Sequence, residues 1–339
     1  MSFSHHKIRE FEQKGKASNV SWCAEHLEEQ EFKKHGINPN DVFLTVIDAD
    51  SWVPEIYMTE VQERIEANYD LRYKTIFMPG QMYTRNNLEV PISTRCYDLG
   101  HGSIHFSNMV GVFEATFPLS NYTLSFNLIK RIGFWDTCPD AIGEDFHTTL
   151  KAFWKTNGDV RTVDIHIPFN QVNVQTGNGY WADVTARFWQ AERHARGCAD
   201  AAYVLKMLFT KPVNWRTWLI SYNVLECFIL PTLVPWAAVG NFLSNIADMF
   251  MSRPEGMVDD FWLALFLNFS TFVMFVTMLT YQLTTRRADK VLYDKTPMPY
   301  WRAIEFLFLL LPGLFICTVP TFVIAAFKVM LNKNEYNTA

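Results

Sequence analysis

Three long apolar stretches dominate the last third of the chain. They cover residues 217–239, 261–283 and 303–327, and each exceeds the roughly 20 residues that a helix needs to cross a membrane. Buried helices of a large soluble core are the alternative, but three such stretches in succession favour membrane spans. We therefore expect about three transmembrane helices in contact with membrane lipids.

The basic residues between these stretches predict an orientation. Arg253 is the only Lys or Arg between the first and second stretches. Between the second and third lie Arg286, Arg287, Lys290, Lys295 and Arg302. Because Lys and Arg collect on the cytosolic side of multi-pass membrane proteins, we expect this second loop and the N-terminal part of the chain to face the cytosol.

The first two thirds of the chain alternate between strand and helix patterns. Val42–Ile47 is a run of β-branched and aromatic residues, typical of a strand buried on both faces. Pro54 then begins a predicted helix that runs to Tyr69. Further helices are predicted at Leu88–Val112, Phe146–Lys155 and Trp181–Arg196, and a further strand at Val160–Ile167. Such an α/β arrangement binds ligands beyond the carboxyl ends of its strands.

Composition excludes several classes of protein. Apolar residues make up 49% of the 339 residues, too many for a disordered chain. The net charge of −5 argues against a general nucleic-acid binder. Six cysteines without a CxxC pair exclude a disulfide scaffold and a zinc ribbon.

Two pairs of residues are candidate metal ligands. Asp48 and Asp50 directly follow the first predicted strand, where their carboxylates could converge on Mg²⁺ or Mn²⁺ and link it to phosphate oxygens. A solvated turn is the alternative. His101 and His105 are four residues apart, but no HExxH acid lies between them, so packing is favoured.

Two further motifs could act on a ligand. Glu144 and Asp145 directly precede the predicted helix Phe146–Lys155, and acids at a helix start either cap the helix or supply a general base. Gln190 and Arg193 share one face of a later helix and could hold an anion or a diphosphate leaving group. A polar helix near the membrane surface is the alternative for the second motif.

In their order along the chain, these motifs resemble a family-2 glycosyltransferase of the membrane-embedded, cellulose-synthase-like kind. The resemblance covers about residues 14–200. Lys16–Asn19 resembles that family's Lys-to-Asn helix start, Asp48–Asp50 its DxD motif and Gly143–Asp145 its (T/E)D motif. Arg187–His194 resembles its QxxRW motif, and Pro118–Trp135 its acceptor-side segment.

The resemblance implies a GT-A domain, an α/β fold with a mixed sheet flanked by helices, over residues 1–200. An interfacial linker helix at 201–216 and a transmembrane region at 217–339 would follow. It also implies an enzyme that inverts the anomeric centre. The donor would be a nucleotide diphosphate sugar, and the acceptor a hydroxyl of a glycan or a lipid-linked molecule.

Carried over residue by residue, the resemblance implies roles at the matching positions. Asp145 would be the catalytic base, Asp48 would meet the donor diphosphate, and Asp50 would bind the divalent cation, Mg²⁺ or Mn²⁺. Gln190 and Arg193 would hold the acceptor or the leaving diphosphate.

The two other matching residues have less definite roles. His194 stands where the family has a Trp that stacks on the acceptor sugar, so it offers a smaller ring. Lys16 would contact the nucleotide, with a surface lysine as the alternative.

The sequence also departs from the family at its start. The family's first strand and helix, which hold the nucleotide base, have no counterpart in the residues before Lys16. We therefore expect a GT-A domain that lacks its N-terminal part. A truncated or degenerate membrane relative that binds a partner without catalysis is the alternative function.

Overall fold

A computed structural model describes most of the first 228 residues and two segments nearer the carboxyl end. The described residues are 6–10, 12, 14–109, 111, 113–137, 143–228, 240, 250, 261–300 and 319–331.

Four strands form one mixed sheet in the order β1-β3-β2-β4. They are β1 (Phe43–Val46), β2 (Thr75–Met82), β3 (Tyr122–Ser125) and β4 (Arg161–Asn170). β3 is antiparallel to β1 and β2, whereas β4 is parallel to β2. β2 is buried throughout because it lies between two strands. β1 was expected to be buried on both faces, but this is wrong: it lies at the sheet edge, and only Val46 is buried.

Helices account for most of the remaining described residues. They are α1 (Lys16–His26), α2 (Lys33–His35), α3 (Tyr57–Ala67), α4 (Ile92–Met109), α5 (Phe126–Ile132), α6 (Glu144–Lys155), α7 (Tyr180–Ala195), α8 (Ala199–Thr210), α9 (residues 215–228), α10 (Phe261–Leu292) and α11 (Val319–Met330). A π-helical segment, Leu27–Phe32, joins α1 to α2. The four helices predicted from the first two thirds of the sequence are confirmed, with shifted ends.

The sheet is covered by helices on both faces. On one face, Ile76 and Leu124 pack with Leu128 of α5 and Phe153 of α6. On the other face, Phe77, Ile165 and Phe169 pack with Tyr57 and Val61 of α3. The alternation of side chains along each strand produces these two apolar layers. The predicted mixed sheet flanked by helices is therefore confirmed.

The three predicted membrane spans, unlike the predicted sheet and helices, are not supported by the described residues. The first and third lie partly outside the described residues, whereas the second, 261–283, lies within α10. No helix among the described residues combines the length and the apolar content needed to cross a membrane. The predicted transmembrane bundle is therefore not supported. Part of α10's apolar surface is instead used in packing, since Met278 and Tyr281 lie against Cys96 and Leu99 of α4.

Candidate functional site

Polar residues gather at one edge of the sheet, where β1, β2 and β4 end and β3 begins. Val46, the last residue of β1, pairs with Tyr122, the first residue of β3. The chain just beyond β1 therefore lies beside the chain just before β3. Asp48 and Ser120 are brought to this edge from positions far apart in sequence.

Lys16 links three segments at this edge. Its Nζ lies 2.7 Å from Asp48 Oδ1 and 3.0 Å from Glu144 Oε1, and it donates a hydrogen bond to the Ser120 carbonyl at 2.5 Å. Burial lowers the pKa of Lys16, but attraction to Glu144 and Asp48 outweighs this effect and raises it above the ordinary value. Lys16 is therefore a charged ammonium that faces two acidic groups.

Glu144 is the most perturbed acid of this cluster. Its side chain is 13% exposed. Burial, with the nearby charge of Asp145, raises the pKa of Glu144 to about 8, although Lys16 acts in the opposite direction. A carboxyl group with such a pKa can exchange a proton near neutral pH.

Asp145 is held firmly by backbone donors. Its Oδ2 accepts the Ser120 N–H at 2.5 Å, and its Oδ1 accepts the Phe146 N–H at 2.8 Å. Ser120 has φ +60° and Gly143 has φ +70°, so both residues adopt a left-handed conformation beside this carboxylate. The backbone at Ser120 is strained, because this residue carries a side chain.

The turn that carries Asp48 and Asp50 is fixed through its backbone. The Asp48 N–H donates to Oδ1 of the buried Asn121 at 2.8 Å. Asp50 is exposed, and Arg85 donates to its carbonyl at 2.8 Å. No group of three or more His, Cys, Asp or Glu side chains in the described parts of the chain could hold a metal ion. Asp48 and Asp50 carry carboxylate oxygens, the type of ligand that a hard cation prefers.

A second polar cluster lies between α4 and α7. Arg187 forms an ion pair with Asp98 and donates to the side-chain amide oxygen Oε1 of Gln190. Its guanidinium lies 4.3 Å from the ring centroid of Tyr97. Burial raises the pKa of Asp98 to about 6, although Arg187 opposes this shift. This charged pair therefore fixes α7 against α4.

Aromatic rings connect this second cluster to the sheet edge. His101 stacks with Tyr97 and with His194, at 6.1 and 6.5 Å between ring centroids. Tyr83, just after β2, contacts the His101 ring edge-on. Burial raises the pKa of Tyr83, and the charges of Asp98 and Asp48 raise it further. Tyr83 therefore lies within electrostatic range of both clusters.

Sequence comparison adds an independent observation. A family model described as glycosyl transferase family group 2 matches residues 43–324, which is most of the chain. The chain belongs to glycosyl transferase family group 2. No curated protein matches it. The family-2 match spans the sheet, the turn with Asp48 and Asp50, α6 and α7.

In this family-2 glycosyltransferase, the predicted site residues fall into two groups. Lys16, Asp48 and Asp145 are brought together at the sheet edge, and Asp50 lies exposed in the same turn as Asp48. The remaining three belong to α7: Gln190 contacts Arg187, His194 stacks on His101, and Arg193 is exposed.

Four residues of the site were not assigned a role from the sequence. They are Ser120, Asn121, Asp98 and Arg187. Glu144 was a candidate helix cap or general base beside Asp145, but the roles carried over from the family did not include it. Asn121 and Asp98 had no sequence signal, because their contacts join segments more than 70 residues apart.

Proposed function

We propose that this protein transfers a sugar from a nucleotide diphosphate sugar to an acceptor hydroxyl of a glycan or a lipid-linked molecule, with inversion at the anomeric carbon. The observation that carries this proposal is the meeting of Lys16, Asp48, Glu144 and Asp145 at the carboxyl edge of the sheet. Ligands of open α/β sheets bind at such an edge.

Asp145 is the catalytic base of the proposed reaction. It takes the proton of the acceptor hydroxyl as that oxygen attacks the anomeric carbon and the nucleotide diphosphate leaves. Its hydrogen bonds to the Ser120 and Phe146 N–H groups support this role, because they hold the carboxylate in one orientation. A base held in this way loses little entropy when the acceptor arrives.

Lys16, Asp48 and Asp50 form the proposed donor end of the site. Lys16 offers a positive charge to the diphosphate, and Asp48 orients the Lys16 ammonium. Asp50 would hold Mg²⁺ or Mn²⁺, and its exposure supports this assignment. When bound, the cation supplies positive charge against the leaving diphosphate.

The α7 residues form the proposed acceptor end. Gln190, Arg193 and His194 would contact the acceptor or the leaving diphosphate. The stack of His194 on His101 supports a ring platform for a sugar. Gln190 is partly engaged by Arg187, so its amide N–H group is the donor that it offers.

Transfer from a panel of UDP- and GDP-sugars tests the proposal on the full-length protein with Mg²⁺ or Mn²⁺. Asp145→Asn and Asp50→Asn should each lower turnover by at least about 100-fold, the size typical of a lost general base or a lost charge contact. Asp70→Asn, at an exposed position in the turn after α3, is the matched control and should keep full activity. Full activity in both site variants would contradict the proposal.

A membrane location with the catalytic part facing the cytosol is the accompanying proposal. The apolar stretches of the sequence support it, as do Phe266, Phe269 and Phe272 of α10, which are 64, 63 and 62% exposed. Apolar side chains exposed together need an apolar partner. Retention of the protein in membranes after an alkaline wash tests the location. Protease accessibility of the N-terminal part in sealed vesicles tests the orientation.

A further inference from the structure

A histidine in the first turn of α6 lies between two carboxylates. His147 Nδ1 is 2.5 Å from Asp200 Oδ1, and His147 Nε2 is 3.0 Å from Asp136 Oδ2. The ring also contacts Tyr203 edge-on, at 4.8 Å between centroids. Lys151, one turn further along α6, lies 2.5 Å from Asp136 Oδ1.

These contacts join three separate parts of the fold. Asp136 belongs to the segment after α5, His147 and Lys151 to α6, and Asp200 and Tyr203 to α8. Lys151 strengthens the connection between α6 and the segment after α5, because it also donates to the Phe134 carbonyl at 2.7 Å. The start of α6 is therefore bound from both sides by charged groups.

The two carboxylates favour the charged form of the His147 ring. Each ring nitrogen faces a carboxylate oxygen, and an imidazolium can donate to both. Burial lowers the pKa of His147, but hydrogen bonds to Asp136 and Asp200 outweigh this effect and raise it to about 9. The ring is therefore charged at neutral pH. Asp145, two residues before His147, adds a negative charge near Asp200.

We propose that His147 is a positioning residue that holds the first turn of α6 and thereby orients Glu144 and Asp145 at the sheet edge. Asp145 is two residues before His147, so a shift of this turn moves its carboxylate relative to Ser120 and Lys16. A catalytic group displaced by about 1 Å can lose two orders of magnitude in rate. The catalytic part of this inference rests on the proposed sugar transfer.

Hydrogen exchange tests the positioning without any assay of activity. In the full-length protein, His147→Gln should speed exchange of the backbone amides at 146–150 by about tenfold or more, since a charge-assisted hydrogen bond is worth at least that factor. Amides of β2 and β4 should be unchanged. His166→Gln is the matched control, because His166 also contacts an aspartate, Asp164 at 2.7 Å, but lies exposed on β4. Unchanged exchange at 146–150 would overturn the inference.

Kinetics separates positioning from simple stabilisation. With the donor sugar that the wild type uses, His147→Gln should lower kcat by about tenfold or more and leave the donor KM within about twofold. The wild-type kcat should decline as His147 loses its proton near pH 9, and His147→Gln should lack this decline. Lys151→Met removes another contact of Asp136, so it should lower stability while leaving that decline in place.

The outcomes distinguish this inference from the proposed function. If the wild type transfers no sugar, the proposed function fails, and hydrogen exchange alone decides the role of His147. If His147→Gln and Lys151→Met lower kcat only in proportion to their loss of stability, with the same pH profile, then His147 is structural and the inference is wrong.

Discussion

Lys16 is the residue on which the charge balance of the site depends. It faces Asp48 and Glu144, so Lys16→Met should leave two partly buried acids close together without a cation. We expect a loss of about 1–3 kcal/mol in the free energy of unfolding at pH 7, because the pair is partly exposed to solvent. Donor affinity should fall as well. Thermal unfolding and donor titration measure the two effects.

Lys14→Met is the matched control for this prediction. Lys14 is exposed and two residues away, and it should be replaceable with little change in either measurement. Equal stability and donor affinity in Lys16→Met and Lys14→Met would show that the Lys16 contacts contribute nothing.

Glu144 should make stability fall as the pH rises. Its pKa is raised from 4.5 to about 8, so the folded protein binds more protons than the unfolded chain between these values. The stability contributed by protonated Glu144 is present below about pH 4.5 and is lost as the pH rises through about 8. Glu144→Gln removes this titration, so its melting temperature should fall less than that of the wild type between pH 5 and pH 9. A parallel pH dependence in both proteins would contradict the raised pKa.

At the scale of single elements, the sequence predicted those with a clear local pattern. β4 and the helices α3, α4, α6 and α7 were found from apolar spacing and helix-start signals. β2 and β3 were not, for two reasons. Pro79 and Gly80 interrupt the strand pattern of β2, although both lie in the buried centre of the sheet. β3 has only four residues, too few to show a period.

Site residues at the ends of predicted elements were found from the sequence, whereas residues that reach the site through distant strand pairing were not. Asp48 and Asp145 were identified because each directly follows or begins a regular element. The residues that hold them, Asn121 and Ser120, precede a strand that was not predicted. Their role depends on the antiparallel pairing of β1 with β3, which the sequence does not specify locally.

The conformation of Ser120 gives a prediction for the segment before β3. Its contacts with Lys16 and Asp145 use only backbone atoms, and its φ of +60° is strained for a residue with a side chain. Ser120→Gly should therefore keep activity, with a change in stability within about 1 kcal/mol, as relief of strain offsets added chain entropy. Ser120→Pro lacks the N–H that Asp145 accepts and cannot adopt this φ.

Transfer activity and thermal unfolding of the two variants check this prediction. Ser120→Pro should lose transfer, with a destabilisation of about 3 kcal/mol or more expected from the wrong φ and the lost hydrogen bond. Loss of activity in Ser120→Gly would mean that the Ser120 hydroxyl, rather than its backbone, serves the site.

At the scale of the whole molecule, apolar composition was an incomplete guide to the last third of the chain. The carboxyl half of α10 packs on the α/β part of the protein, against α4 and the end of β2. Asp289 of this half is buried and accepts a hydrogen bond from Thr84, just beyond β2, at 2.5 Å. The basic residues in this region predicted the membrane orientation from their number alone. Lys295, one of them, also has a structural contact, since it donates to the Thr84 carbonyl.

Tyr293 provides a test of this long-range packing. It follows α10, and its hydroxyl donates to the Pro168 carbonyl at 2.6 Å and also lies 3.1 Å from the Trp52 carbonyl oxygen. Trp52 is two residues beyond Asp50, so this contact connects the end of α10 to the turn that carries the two aspartates. Tyr293→Phe should lower the free energy of unfolding by about 1–2 kcal/mol, because buried hydrogen bonds are lost. It should also raise the donor KM, since the turn loses support.

The control for this experiment is Tyr300→Phe, which removes a hydroxyl from a residue that is 68% exposed. The Tyr300 ring lies 3.6 Å from the Arg286 guanidinium, and phenylalanine keeps a ring there, so both stability and KM should stay at wild-type values. Chemical denaturation and donor-dependent initial rates measure the two quantities. If Tyr293→Phe lowers stability but leaves the donor KM unchanged, α10 supports the fold without supporting the turn. If it changes neither, the Tyr293 hydroxyl contributes nothing to the folded state or to the turn.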